Sequence, residues 1–182
     1  MNKVVLESEI LYLHELEPND VTQQYVDWLN DEEINKYLES RHTHQDMKKV
    51  KIFVELCRNN KLDFLFGIFL LNGNRHIGNI RLHSINKYHS HGEIGLFIGD
   101  KESWGQGFAS IVISMVTQFA LNELQLIKIS AGCYENNFGS KKAFEKCGYK
   151  TEGFLRSHVD SINGREGVWR MGCLSTDFIF VN

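Results

Sequence analysis

Gly99-Asp100-Lys101-Glu102-Ser103-Trp104-Gly105-Gln106-Gly107-Phe108-Ala109-Ser110 decides how this chain folds. An apolar strand, Glu93 to Gly99, runs into it, and a long amphipathic helix runs out of it. Gly105 and Gly107 stand one residue apart and the small Ala109 follows, so backbone N–H groups lie bare at a helix start. The first N–H groups of a helix have no partners within it, and the helix dipole is positive there, which suits an anion. No Gly-Lys-Ser/Thr triplet follows, so this is not a Walker-type phosphate loop. The strand before it belongs to a run of hairpins rather than a parallel βαβ unit, which argues against a dinucleotide fingerprint. A tight strand-to-helix turn without a ligand is the plainer alternative, and the turn alone does not choose.

Outward from the turn, Phe108, Ile111, Val112, Met115, Val116, Phe119 and Ala120 form one apolar stripe of the following helix. Gln125 to Cys133 is expected as a strand. Asn137 opens a short helix carrying Ala143, Phe144 and Cys147, and Gly148 stops it. Tyr149 to Val159 and Arg165 to Leu174 make a last hairpin around Asn163-Gly164. Upstream, Phe64 to Leu71 and Ile77 to Leu82 are strands joined at Asn72-Gly73, and residues 84–92 are expected as a polar loop. Met1-Asn2-Lys3 leads into a short mixed strand, and Glu9 to Leu16 alternates as a strand. Pro18-Asn19-Asp20 opens a helix bearing Val21, Tyr25, Trp28 and Leu29. A short helix over Asp31 to Leu38, a polar connection over 39–44 and a helix from Gln45 to Arg58 complete that region. The class is α/β in the α+β sense: a mixed, mainly antiparallel sheet of about seven strands flanked by about four helices.

The 182 residues suit one domain over 1–182 with a sizeable core. A net charge of -3 without a lysine/arginine cluster gives no footprint for nucleic acid. No signal peptide opens the chain and no apolar run is long enough to span a bilayer, so no membrane partner is expected. Cys57, Cys133, Cys147 and Cys173 lie far apart inside apolar elements, as reduced core residues of a cytoplasmic protein would. His42-x-His44 and His89-x-His91 lack a carboxylate or cysteine at ligand spacing, so no metal is expected.

The succession Glu93-Ile94-Gly95-Leu96-Phe97-Ile98-Gly99, Trp104-Gly105-Gln106-Gly107-Phe108-Ala109, Asn136-Asn137-Phe138-Gly139-Ser140 and Phe144-Glu145-Lys146-Cys147-Gly148-Tyr149 resembles the GNAT family of acetyl-CoA-dependent N-acetyltransferases. It is most similar to the branch that includes ribosomal-protein N-terminal acetyltransferases. Polyamine, amino-sugar and antibiotic acetyltransferases share that branch. The resemblance spans nearly the whole chain. It implies a single N-acetyltransferase domain and a splay between two central strands. Its motifs are specific for acetyl-CoA and poorly specific for the acceptor.

The resemblance implies roles for individual residues. Trp104 stands where the family's loop has Gln or Arg, Gly107 at its central glycine and Ala109 at its last small position. Backbone N–H groups of Gly105, Gln106, Gly107, Phe108 and Ala109 would hold the coenzyme A pyrophosphate. Backbone of Leu96, Phe97 and Ile98 would pair with the pantetheine arm in the splay. Asn137 matches the asparagine that bonds that arm, and Ser140 follows at the branch's Asn-x-x-Ser spacing. Phe144 occupies the place of a tyrosine that protonates the leaving thiolate, and a phenyl ring donates no proton. A thiol of pKa about 8.5 tolerates leaving without such an acid, and Ser140 or water could bond the sulfur. Ser140 could equally be a helix-start hydroxyl bonding local backbone.

The acceptor amine must be neutral to attack, and Glu93 is the candidate base, acting through water. The alternative for Glu93 is a strand-end carboxylate paired with a nearby Arg or His. Tyr37, Arg41, His83 and Arg156 are candidate acceptor contacts, with His42, His158 and Glu166 behind them; Trp28 fits core packing better. The expected activity is acetyl transfer from acetyl-CoA to a primary amine by direct attack in a ternary complex. The acceptor would be a small amine, an amino sugar or polyamine; a protein N-terminus such as that of a ribosomal protein is the alternative. A binding module that senses acetyl-CoA without transfer is the rival of another class. A homodimer is an assembly that the resemblance allows.

Overall fold

A computed structural model describes residues 4–162 and 164–182. In chain order the elements are β1 (Val5–Glu7), β2 (Leu11–Glu15), α1 (Gln23–Asn30), α2 (Glu32–Asn35), α3 (Met47–Asn59), β3 (Phe64–Leu70) and β4 (Arg75–Asn86). Then come β5 (His91–Ile98), α4 (Phe108–Asn122), β6 (Lys128–Tyr134), α5 (Phe138–Lys146), β7 (Lys150–Ser161) and β8 (Gly164–Leu174). Hydrogen bonds order the strands β1-β2-β3-β4-β5-β6-β8-β7. The β5–β6 pair is parallel, whereas β1–β2, β2–β3, β6–β8 and β7–β8 are antiparallel. The mixed α+β class stands, with eight strands where about seven are expected. β1 is the short mixed strand expected after Met1-Asn2-Lys3, and its three residues pair Val5↔His14 to Glu7↔Tyr12.

Three stretches differ from their sequence expectation for local reasons. Pro18–Asp20 forms a separate 3-10 turn closed by the Glu17 N–H on the Asp20 carboxylate at 2.7 Å. Helix α1 starts afresh after Thr22, whose hydroxyl accepts the Tyr25 N–H at 3.2 Å. The expected loop 84–92 is mostly strand: β4 runs to Asn86, and the Asn86 side chain accepts the Tyr88 and His89 N–H groups to turn the chain into β5. Polar, half-exposed strand ends carry no apolar alternation, so they looked like a loop. The Asn163-Gly164 turn falls partly outside the described residues; Gly164 has φ +100°, as a tight hairpin turn requires. The opening Met1-Asn2-Lys3 lies outside the described residues altogether.

The chain groups into two compact units. One holds residues up to Arg81 together with Leu96–Trp104; the other holds Leu82–Gly95 and Gly105 onward. In the first, Tyr25, Val26, Trp28, Val50, Val54 and Leu65 are buried together. In the second, α4 is buried on almost every side, including Ser114 and Thr117, which find partners in the Val181 N–H and the Tyr149 hydroxyl. The one-sided stripe expected for α4 is therefore too narrow. No helix among the described residues is long and apolar enough to cross a membrane.

Candidate active site

In the first unit, the approach to the glycine turn is tied down by charge. The Ser103 hydroxyl donates to the Asp100 carboxylate at 2.6 Å, and Arg75 reaches Asp100 at 3.3 Å and Glu102 at 2.9 Å. Lys101 bonds Asp31 at 2.9 Å and Glu33 at 2.8 Å, and its ammonium holds the Asp31 carboxyl below its ordinary range. The Trp104 indole N–H donates to the Ile98 carbonyl at 2.8 Å, folding its ring back toward the strand end. Gly99 is dictated by Trp28: a Cβ there would stand 2.1 Å from the Trp28 ring. Trp28 itself is buried, edge-on to His76 at 5.1 Å, as core packing predicts.

The same unit sets which way the backbone of β5 faces. The Gly99 N–H donates to the Ile77 carbonyl on β4 at 2.8 Å. Backbone polar groups alternate sides along a strand, so those of Phe97 also face β4 and those of Leu96 and Ile98 face away. Gly78 makes this approach possible, since a Cβ there would lie 2.3 Å from the Phe97 carbonyl oxygen. Tyr37 and Arg41 lie just after α2. The Lys36 ammonium sits 5.2 Å from the Tyr37 ring centre, and Arg41 donates to the Leu38 carbonyl at 2.9 Å, closing its own turn.

In the second unit, Gly105 and Gly107 have φ +74° and +86°, and added Cβ atoms would touch nothing. They are glycine for conformation rather than for room. Gly107 is the N-cap of α4 and brings no side chain of its own to that end; its carbonyl accepts Ser110 N–H at 3.0 Å. A left-handed turn with a glycine-capped helix start behind it fits a bound pyrophosphate.

Strand β5 pairs with β6 from His91↔Lys128 to Ile94↔Ala131, and the ladder ends there, although β5 runs on to Ile98 and β6 to Tyr134. Glu93 stands opposite Ser130, one pair before that end. Its carboxylate is held by Arg170 of β8, Nη1 to Oε1 at 2.9 Å and Nη2 to Oε2 at 3.3 Å. The side chains are 28% and 39% exposed respectively. The alternative reading of Glu93, a carboxylate paired with a nearby Arg, is thus met by Arg170; sequence reasoning missed which arginine, because only the register of three strands brings Arg170 to Glu93. On β4, the His83 imidazole reaches within 4.0 Å of the point where a Gly95 Cβ would sit, and its Nδ1 lies 2.9 Å from the Ser84 hydroxyl. His83 lies inside β4, not just past its end as a strand over Ile77 to Leu82 would put it.

Asn137 caps α5, its side-chain oxygen accepting the Ser140 N–H at 3.2 Å. The Ser140 hydroxyl lies 3.5 Å from the Cys133 sulfur, whose thiol pKa is raised by burial. Phe144 is 1% exposed and meets Tyr149 edge-on at 4.9 Å. The Tyr149 hydroxyl is no substitute acid: it is buried 2.8 Å from the Thr117 hydroxyl, and burial pushes its pKa far up. Arg156 lies on exposed β7 in the irregular stretch between Leu155 and Val159, beside Ser157 at φ +51°. Glu166 is buried at 7% exposure, and its Oε2 has no partner among the described residues. Among the described residues no group of three or more His, Cys, Asp or Glu side chains is placed to hold a metal ion.

Residues 11–150 match the family described as the Acetyltransferase (GNAT) domain. The chain is 31% identical to the Uncharacterized N-acetyltransferase YoaA of Bacillus subtilis (strain 168), over 85% of this chain and 88% of that protein. It is 27% identical to the Uncharacterized N-acetyltransferase p20 of Bacillus licheniformis, over 79% and 80%. In fold it is similar to the spermidine N-acetyltransferase of Vibrio cholerae solved with CoA and spermine. That likeness has TM-score 0.83 and 23% identity over 92% of this chain and 96% of that one. At such identity the likeness speaks for the fold alone.

Proposed function

Because the chain belongs to the GNAT acetyltransferase family, we propose that it carries an acetyl group from acetyl-CoA to the primary amine of a small molecule, with the whole of 1–182 acting as one domain. The observation that carries the donor assignment is the left-handed Gly105/Gly107 turn before a helix start whose N-cap is a glycine. In this reading the N–H groups from Gly105 to Ala109 take the pyrophosphate, with Trp104 flanking them. Leu96 and the Ile98 N–H offer the pantetheine arm backbone groups that face away from β4, while the Phe97 ring packs on Tyr25 and Trp28. The family resemblance assigns Asn137 and Ser140 to the same cofactor. Acetyl-CoA supplies an activated acyl group on sulfur.

Glu93 accepts a proton from the acceptor ammonium through water, and the neutral amine attacks the thioester carbonyl directly. The Ile98 N–H supports the developing oxyanion. The carbon–sulfur bond breaks, the sulfur leaves as a thiolate that water or Ser140 can bond, and the amide nitrogen sheds its remaining proton to water. The choice of a small amine draws on the spermidine acetyltransferase among the fold relatives and on the buried carboxylate of Glu166. Tyr37, Arg41, His83 and Arg156 are its further candidate contacts. Four buried free thiols suit a cytoplasmic setting.

The test is acetyl-CoA with a panel of polyamines, amino-sugar nucleotides and N-terminal peptides, followed by release of free thiol. Turnover of a polyamine or amino sugar, lowered about 10²-fold by Glu93→Gln, is expected. Turnover confined to peptides would move the acceptor to a protein N-terminus. Tight acetyl-CoA binding with no turnover on any amine would make the chain a sensor and overturn the reading. Phe144, where the resemblance has a tyrosine, is the residue that favours that outcome.

A further inference from the structure

We propose that Arg170 is the positioning residue for Glu93: it clamps the carboxylate in one orientation over Gly132, so that the remaining lone pairs of the base are aimed at the acceptor. The inference rests on the reading of Glu93 as base.

Strand register carries it. β6 lies between the two partners, with Glu93↔Ser130 on one side and Arg170↔Gly132 on the other. The Arg170 side chain must therefore pass over β6 to reach Glu93, and it passes over Gly132. A Cβ at Gly132 would stand 3.2 Å from Arg170 Nη1 and 3.9 Å from Glu93 Oε1. The glycine is the floor on which the ion pair lies.

The pair is two-pronged, each guanidinium nitrogen serving a different carboxylate oxygen. Such a fork fixes the plane of the carboxylate, which a single donor cannot do. An ionised carboxylate has about four acceptor directions, so two are left for water or an ammonium while the clamp stays closed. A glutamate without the clamp would have to be ordered at each turnover. Both side chains keep contact with solvent, so the pair can serve a site rather than a core.

The experiment is a double-mutant cycle on the full chain with the best amine of the panel. Arg170→Met is expected to lower kcat about tenfold. Its KM for acetyl-CoA should stay within about twofold and its melting temperature should be nearly unchanged. Arg170→Lys, which keeps the charge and loses the fork, is expected between wild type and Arg170→Met. In the Glu93→Gln background, Arg170→Met should cost nothing further, because the group it positions is gone. A loss that multiplies on Glu93→Gln would overturn the proposal and leave the base reading standing. Full activity of Glu93→Gln would overturn the base reading, and the proposal with it. A crystal structure of Arg170→Met gives a readout free of turnover: the Glu93 carboxylate should leave its orientation, and finding it unmoved would also overturn the clamp.

Discussion

Gly107 and Gly139 are both glycines beside a helix start, yet physics separates them. Gly107 sits at φ +86°, where an L side chain crowds its own carbonyl, and Gly139 lies in the first turn of α5 with open space around it. Gly107→Ala is expected to cost about 1–2 kcal/mol of stability and to raise the KM for acetyl-CoA. Gly139→Ala should be neutral or stabilising by up to about 1 kcal/mol. Thermal melts and donor saturation curves check both. Tyr149 offers a second contrast. Tyr149→Phe removes the partner of the buried Thr117 hydroxyl and should cost about 1–2 kcal/mol in urea unfolding, with kcat within about twofold of wild type. A large loss of kcat at unchanged stability would show that this hydroxyl reaches the leaving thiol after all.

At the scale of elements, β4 carries a buried histidine that links the fold to pH. The His76 Nε2 lies 2.9 Å from both the Gly78 carbonyl and the Asn79 side-chain oxygen, so that nitrogen carries a proton and donates. Phe69 stacks on the ring at 4.6 Å, and Trp28 and Tyr25 meet it edge-on. Burial holds the His76 pKa below its ordinary value, with His14 lowering it further and Asn79, Gly78 and Asp20 opposing. The folded state therefore prefers the neutral ring. Its contribution to stability is present above the ordinary histidine value of about 6.5 and is lost as pH falls through the folded value. Melting temperature should drop from pH 7.5 to pH 5.5 in the wild type, and His76→Gln should flatten that slope.

Elements also show where the sequence was legible. Helix α4, the Gly105/Gly107 turn and the Asn137 cap carry strong local chemistry, so their places were readable from composition and spacing. The 3-10 turn at Pro18 and the polar ends of β4 and β5 were not, because side-chain bonds from Asp20 and Asn86 decide them. Which arginine pairs with Glu93 was out of reach for another reason. Glu93 and Arg170 are separated by 77 positions, and only a parallel pair beside an antiparallel one brings them together.

Across the whole molecule, the chain's last stretch is fastened to the second unit. The Ile179 N–H donates to the Cys147 carbonyl at 3.1 Å, and the Val181 N–H donates to the Ser114 hydroxyl at 2.9 Å. Gly148 makes that approach possible: it has φ +89°, and a Cβ would stand 2.0 Å from the Asp177 carbonyl oxygen. Gly148→Ala therefore meets both backbone strain and a backbone clash. It should cost more than Gly107→Ala, at least about 2 kcal/mol, by urea unfolding. The four thiols have a different consequence. Burial pushes Cys57 and Cys173 up to about 11 and Cys147 up to about 12, and raises Cys133 as well. At pH 8 the native chain should thus be silent toward a thiol-specific dye, so a colorimetric count of released coenzyme A starts from a clean baseline. The same silence makes the cysteines reporters of breathing. Cys57 lies in one unit and the other three in the second, so peptide mapping after slow alkylation would time the opening of each unit separately. Equal labelling rates at all four positions would mean that the two units unfold as one.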